Sequence, residues 1–163
     1  MRSDQLTFEK FGKGDFDLYF RLVSDENVMI MITGMSLSRS EALTKFEKIL
    51  KINEESSQFG YYTIRTKPDG HFIGLAKLVS TKEDEAEAGY MLLPEYWGKG
   101  FGTLISQSLI RHSEGIESLK NLIAIIDPEN QASKRILEKG GFKLDEVCEL
   151  DGLPAEIYSL HLR

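Results

Sequence analysis

Three glycines alternate in the stretch Leu92-Leu93-Pro94-Glu95-Tyr96-Trp97-Gly98-Lys99-Gly100-Phe101-Gly102-Thr103. Between a strand and a helix, such a loop suits the binding of an anion. Without Cβ atoms the backbone approaches a ligand closely and turns its N–H groups inward. The start of the following helix adds unpaired donors and a partial positive charge. Together these make a pyrophosphate cradle, to which Lys99 adds a point charge. The loop is not the dinucleotide fingerprint, because the third glycine after Gly98 and Gly100 would fall at Thr103. It is not a P-loop either, which needs four residues between its glycines and then Gly-Lys-Ser/Thr.

Other chemically suggestive residues give weaker signals. His71, His112 and His161 lie far apart and match no metal spacing, so no metal site is expected. Cys148 is the single cysteine; it excludes an internal disulfide and reads as a buried structural thiol in a terminal strand. Gly34-Met35-Ser36-Leu37-Ser38 misses the hydrolase elbow at its fifth position.

The elements around the loop follow from hydrophobic period and turn chemistry. Leu6–Phe11 reads as a strand ended by Gly12 and Gly14. Asp15 starts a helix with Phe16, Tyr19, Phe20 and Val23 on one face. The apolar connection from Val28 to Met35 reads either as packing beneath the next helix or as an adaptable pocket wall. Ser38 and Glu41 form a capping box for a long helix striped by Ala42, Leu43, Phe46, Ile49 and Leu50. Phe59–Arg65 and His71–Val79 read as a hairpin around Lys67-Pro68-Asp69-Gly70. A charged turn at Thr81–Glu85 leads to a third strand, Ala86–Leu93, stopped by Pro94.

Beyond the loop, a helix is expected over Phe101–Ser113 and a strand over Leu119–Ile126, apolar enough to be buried on both faces. Asp127-Pro128-Glu129-Asn130 leads into a helix ended by Gly140-Gly141. Strands at Lys143–Leu150 and Ile157–Leu162 close the chain around Asp151-Gly152. The order βααβββαβαββ is an α/β (α+β) arrangement. The length of 163 residues suits one domain over 1–163.

Three segments resemble the GCN5-related N-acetyltransferases. Gly100-x-Gly102 matches the end of that family's (Gln/Arg)-x-x-Gly-x-Gly/Ala loop. Glu87-Ala88-Gly89-Tyr90-Met91-Leu92-Leu93-Pro94 resembles its Glu-x-Gly-Tyr-x-Leu-x-Pro strand. Asn130 to Phe142 resembles its Asn-x-x-Ser-x-x-x-Leu-Glu-Lys-x-Gly-Phe helix. The resemblance covers nearly the whole chain, and the N-terminal part is similar to the branch that acetylates ribosomal-protein N-termini. It implies a mixed central sheet of about six to seven strands with helices on both faces.

The resemblance also implies roles. The amides of Gly98, Lys99, Gly100, Phe101, Gly102 and Thr103 would hold the pyrophosphate of acetyl-CoA. Backbone groups of Leu92 and Leu93 would meet the pantetheine along the strand edge, with Asn130 on its other side. Glu87 is the candidate base, acting through water, and Ser133 the candidate acid or thiol-orienting donor. Glu87 reads equally as one more solvated charge in the run Glu83-Asp84-Glu85-Glu87, and Ser133 also reads as a helix-surface serine. Trp97 stands where the loop usually begins with Gln or Arg, and Leu137 where many relatives carry a thiolate-protonating tyrosine.

The implied reaction is acetyl transfer from acetyl-CoA to a primary amine, such as a protein N-terminus. The alternatives are a small amine (polyamine, amino acid or aminoglycoside) as acceptor, or a non-catalytic acyl-CoA-binding or sensing module. The net charge, 20 − 26 = −6, argues against a nucleic-acid partner. No run is long enough to span a membrane. A cytoplasmic protein, monomeric or homodimeric, is expected.

Overall fold

A computed structural model describes residues 1 and 3–163 of the chain. Its strands are β1 (Leu6–Lys10), β2 (Gly60–Thr66), β3 (Phe72–Lys82), β4 (Glu85–Leu92), β5 (Asn121–Ile126), β6 (Lys143–Leu150) and β7 (Leu153–His161). Its α-helices are α1 (Phe16–Val23), α2 (Glu26–Met29), α3 (Arg39–Glu55), α4 (Phe101–Glu114) and α5 (Gln131–Lys139). The seven strands form one mixed sheet in the order β1-β2-β3-β4-β5-β7-β6. Every neighbouring pair is antiparallel except β4 and β5, which run parallel.

Two apolar clusters sandwich this sheet. One packs α1 and α3 over it through Tyr19, Leu22, Phe46 and Ile49 against Phe72 and Leu75. The other packs Ile105 and Leu109 of α4 and Leu137 of α5 against Ile64, Leu78 and Leu122. The α3 start is the capping box expected from sequence: Ser38 Oγ accepts from the Glu41 N–H, and Glu41 Oε1 accepts from the Ser38 N–H.

Several expectations are corrected. The charged turn shrinks to Glu83-Asp84, because β3 and β4 continue to Lys82 and Glu85, which form an ion pair. The β5 strand is not buried on both faces. Leu122 and Ala124 are buried, but Ile125 is 37 % exposed on the face away from α5. The reason is that α3 packs on β2 and α1 on β3, short of β5. The apolar Val28–Met35 connection contains the end of α2, whose start is capped by the Asp25 carboxylate. Strand β7 begins at Leu153, four residues before the expected Ile157.

The decisive feature is the β4–β5 junction. These strands pair only at Glu85–Asn121, Ala86–Leu122 and Glu87–Ile123. Beyond Glu87 they diverge, although β4 continues to Leu92 on β3 and β5 to Ile126 on β7. The sheet is therefore open in its middle.

Candidate active site

The opening is bordered by backbone that has lost its neighbour. The Leu93 N–H donates to the Ile73 carbonyl, so Leu93 and Met91 direct their backbone groups toward β3. By alternation, Ala88, Tyr90 and Leu92 direct theirs into the opening. The Leu92 carbonyl already accepts a 2.8 Å hydrogen bond from the Trp97 indole. The backbone edge facing the opening therefore runs over Ala88, Tyr90 and Leu92, rather than Leu92 and Leu93 as expected. Leu93 itself points the other way.

A cavity of about 580 Å³ passes through this opening and has walls on both faces of the sheet. On the α4/α5 face its walls include Tyr90, Ser106, Asn130, Ser133 and Leu137. On the α3 face they include Met31, Ile32, Leu75, Lys77, Glu87 and Met91. The hairpin joining β6 and β7 closes this second side, where Leu153 comes near Gly34. Val28 and Met29 are buried, whereas Met31 and Ile32 line the cavity. Both readings of the Val28–Met35 segment thus hold, for different residues.

The glycine loop forms the rim of the opening. Gly98 and Gly100 have φ of 69° and 85°, the left-handed region where a side chain is strained. A Cβ at either would meet nothing within 4 Å, so glycine serves the backbone conformation there and leaves the space beside the loop open. Gly100 starts α4 without a capping side chain. The N–H groups of Phe101, Gly102 and Thr103 therefore lack both intrahelical and cap partners. Lys99 is exposed, its Nζ 5.8 Å from the centre of the Tyr96 ring. These features fit a pyrophosphate: donors without helix partners, no Cβ in the way, and one exposed cation.

Gly102 has a different reason to be glycine. A Cβ there would stand 2.7 Å from Tyr90 Oη and 2.9 Å from Ile136 Cδ1. The Tyr90 hydroxyl is thereby wedged between the first turn of α4 and α5. There it hydrogen-bonds with the Ser133 side chain. Burial pushes the Tyr90 phenol above its ordinary range, and the Ser133 hydrogen bond partly opposes that. Asn130 caps α5, its carboxamide oxygen accepting from the Ser133 N–H at 3.1 Å. Its NH₂ group is left to donate to a ligand. Ser133 sits at the third helical position and on the cavity wall.

Glu87 is not simply a solvated charge. Its Oε1 lies 2.5 Å from Lys77 Nζ, with side chains only 20 % and 28 % exposed. The contact is diagonal across the strands, because Lys77 pairs with Gly89 and Glu87 with Val79. Lys77 and Tyr90 are the site residues to which the sequence reading gave no role. The signal for Lys77 is a lone charge within the apolar strand Phe72-Ile73-Gly74-Leu75-Ala76-Lys77-Leu78-Val79. None of His71, His112, His161 or Cys148 is on the cavity walls, and Cys148 is half-buried rather than buried, because β6 is the exposed edge strand of the sheet. Among the described residues no three metal-ligating side chains cluster.

An open sheet with a glycine-rim cradle is a fold-level feature, and comparison with known proteins agrees with it. Residues 5–143 match the family model described as an acetyltransferase (GNAT) domain. The chain belongs to the GNAT acetyltransferases. It is 30 % identical over 151 residues to an uncharacterized N-acetyltransferase, YoaA, of Bacillus subtilis, covering 90 % of this chain and 84 % of that one. Its fold is similar to that of RimL, a ribosomal L7/L12 alpha-N-protein acetyltransferase solved with coenzyme A. The TM-score is 0.82 at 16 % identity, over 98 % and 96 % of the two chains. It is also similar to a spermidine N-acetyltransferase of Vibrio cholerae solved with CoA and spermine. There the TM-score is 0.78 at 20 % identity, again over 98 % and 96 %. As a member of this family the chain is an acetyl-CoA-dependent N-acetyltransferase. No described helix is long and apolar enough to cross a membrane.

Proposed function

We propose that the protein binds acetyl-CoA on the α4/α5 face and a primary amine on the α3 face, and that the two react within the sheet opening. The observation that carries this reading is the cavity that traverses the sheet where β4 and β5 part. Gly98–Thr103 hold the pyrophosphate through backbone N–H groups. The free edge at Ala88, Tyr90 and Leu92 bonds the amides of the pantetheine arm, with the Asn130 carboxamide opposite. Acetyl-CoA supplies the acetyl group as a thioester: the amine lone pair forms the N–C bond as the C–S bond breaks, and sulfur keeps that electron pair.

The chain's own groups manage orientation and protons. Glu87 takes one proton from the acceptor ammonium, directly or through water, to expose the lone pair. A backbone N–H of the open β4 edge stabilises negative charge on the carbonyl oxygen. Ser133, held by Tyr90, passes a proton to the departing sulfur and regains one, through water, from the new amide nitrogen, which sheds its second proton as the C–S bond breaks. The ribosomal-protein and spermidine enzymes among the structural relatives act on different acceptors. A protein N-terminal amine and a small amine are thus both within the family's scope.

Thiol release from acetyl-CoA, measured over an amine panel and across pH, tests the reading. Glu87→Gln is expected to lower kcat, and Ser133→Ala to slow thiol release at every pH. Tight CoA binding without turnover on any amine supports instead an acyl-CoA-sensing module. Wild-type rates and pH profiles in both variants refute the proton roles.

A further inference from the structure

The Lys77–Glu87 pair bears on which amines the site takes, given the acetyl-transfer reading above. As it stands, the candidate base is occupied. Its carboxylate holds a lysine ammonium at 2.5 Å, and both side chains are mostly withdrawn from water. An incoming ammonium must displace that lysine to reach Glu87. Removing one partner of a desolvated pair leaves the other charge uncompensated, which is strongly unfavourable. The acceptor must therefore bring a replacement for the charge it takes.

We infer that the acceptor is a zwitterion of the amino-acid class, an amine with an acid group a few bonds away, which exchanges ion pairs with Lys77 and Glu87. Its ammonium takes Lys77's place at Glu87, while its acid group takes Glu87's place at Lys77. Two pairs replace one and no charge is stranded. A polyamine offers Glu87 an ammonium, but leaves Lys77 unpaired beside further positive charge.

The surroundings favour the same class. Lys45, exposed on α3, adds a second cation to this half of the cavity. Met31, Ile32, Leu75 and Met91 form apolar walls suited to a side chain. The other acidic groups on the cavity are engaged elsewhere or peripheral. The Asp127 carboxylate accepts from the Glu129 N–H in the turn before α5, and Asp151 is exposed at the tip of the β6–β7 hairpin.

The test pairs acceptors that carry the acid group with acceptors that lack it. Thiol release is measured with leucine, methionine, serine and glutamate, with the α-amide of each, with 3-methylbutylamine and spermidine, and with a short peptide bearing a free N-terminus. The amides are less basic than the amino acids and the alkylamine more basic, so basicity cannot mimic the expected pattern. The best amino acid is expected to exceed its amide and both acid-free amines by at least tenfold in kcat/KM. Lys77→Met should remove most of that ratio, and Lys77→Arg should keep most of it. Should Lys77→Met fail to fold, the wild-type panel and the arginine variant still decide. The inference is overturned if spermidine or 3-methylbutylamine matches the best amino acid, or if folded Lys77→Met keeps the full ratio. Either result leaves acetyl transfer standing. Release on the peptide alone overturns this inference and leaves acetyl transfer standing; CoA binding with no release on any acceptor, the peptide included, overturns both.

Discussion

Replacing Gly100 by alanine separates the two jobs assigned to the glycine rim. At φ 85° an alanine sits in the left-handed region, at a cost of about 1–2 kcal/mol. A less flexible unfolded chain returns about 0.4–1 kcal/mol of this. No clash adds to it, since a Cβ at Gly100 meets nothing within 4 Å. The net loss is about 1 kcal/mol, or roughly 2–4 °C in melting temperature for a chain of this length. The effect on ligand binding should be larger. The new methyl group points into the space a pyrophosphate would use, and each hydrogen bond lost to a charged group is worth about 1.5–3 kcal/mol. CoA affinity should fall about ten- to hundredfold. Gly70 provides the control, with φ 73° and equally open surroundings in the turn between β2 and β3. Gly70→Ala should melt about as early as Gly100→Ala yet bind CoA like the wild type. Calorimetric titration with CoA, beside thermal melts of both variants, makes the comparison. Equal CoA affinity in the two variants would show that the cradle is elsewhere.

Other perturbations reach other parts of the site. Lys99→Ala should weaken CoA binding severalfold at low salt and hardly at all at high salt, because an exposed cation acts through a screened field; titrations at two ionic strengths check this. Tyr90→Phe should slow acetyl transfer through Ser133, so adding Tyr90→Phe to Ser133→Ala should cost little more rate; additive losses in a double-mutant cycle would mean the two hydroxyls act separately. His112 tests the electrostatics away from the site. Burial lowers its pKa below the ordinary histidine value, although its hydrogen bond to the Gln58 carbonyl opposes the shift. A lowered folded-state pKa gives stability that is present above the unfolded value near 6.5 and is lost as pH falls through the folded value. The melting temperature should therefore fall less between pH 7 and pH 5 in His112→Gln than in the wild type.

Local chemistry made much of this molecule legible in its sequence. Ser38 and Glu41 announced α3, Pro68 and Gly70 announced the turn after β2, and the alternating glycines announced the rim. Each signal is complete within a few residues, so no distant contact is needed to read it. Where the reading failed, a long-range contact decided. The apolar run of β5 suggested burial on both faces, but burial depends on how far α1 and α3 reach across the sheet. Strand β7 starts earlier than expected and includes Pro154, although proline cannot donate to a ladder. It is tolerated because β7 pairs with β5 only as far back as Glu156, leaving Pro154 opposite Glu149 of β6 alone. The parting of β4 and β5 after three residue pairs has no signature in either strand. Lys77 was likewise invisible as a partner of Glu87, because their contact rests on the β3–β4 register.

The passage through the sheet also constrains the kinetic order. A double-displacement route would park the acetyl group on a side chain before the amine arrives. The walls offer no histidine or cysteine to carry it. The hydroxyl of Ser133 lies beside the Tyr90 hydroxyl and the Asn130 carboxamide, neither of which takes a proton readily at neutral pH. The two faces meanwhile give the two substrates separate approaches to one gap, so neither must leave before the other binds. Direct transfer in a ternary complex is the route this geometry serves, and its advantage is orientation rather than covalent relay. Initial rates measured over a grid of acetyl-CoA and acceptor concentrations should give intersecting double-reciprocal lines. Parallel lines, together with an acetylated side chain found by mass spectrometry after acetyl-CoA alone, would refute direct transfer and make a wall residue the acetyl carrier.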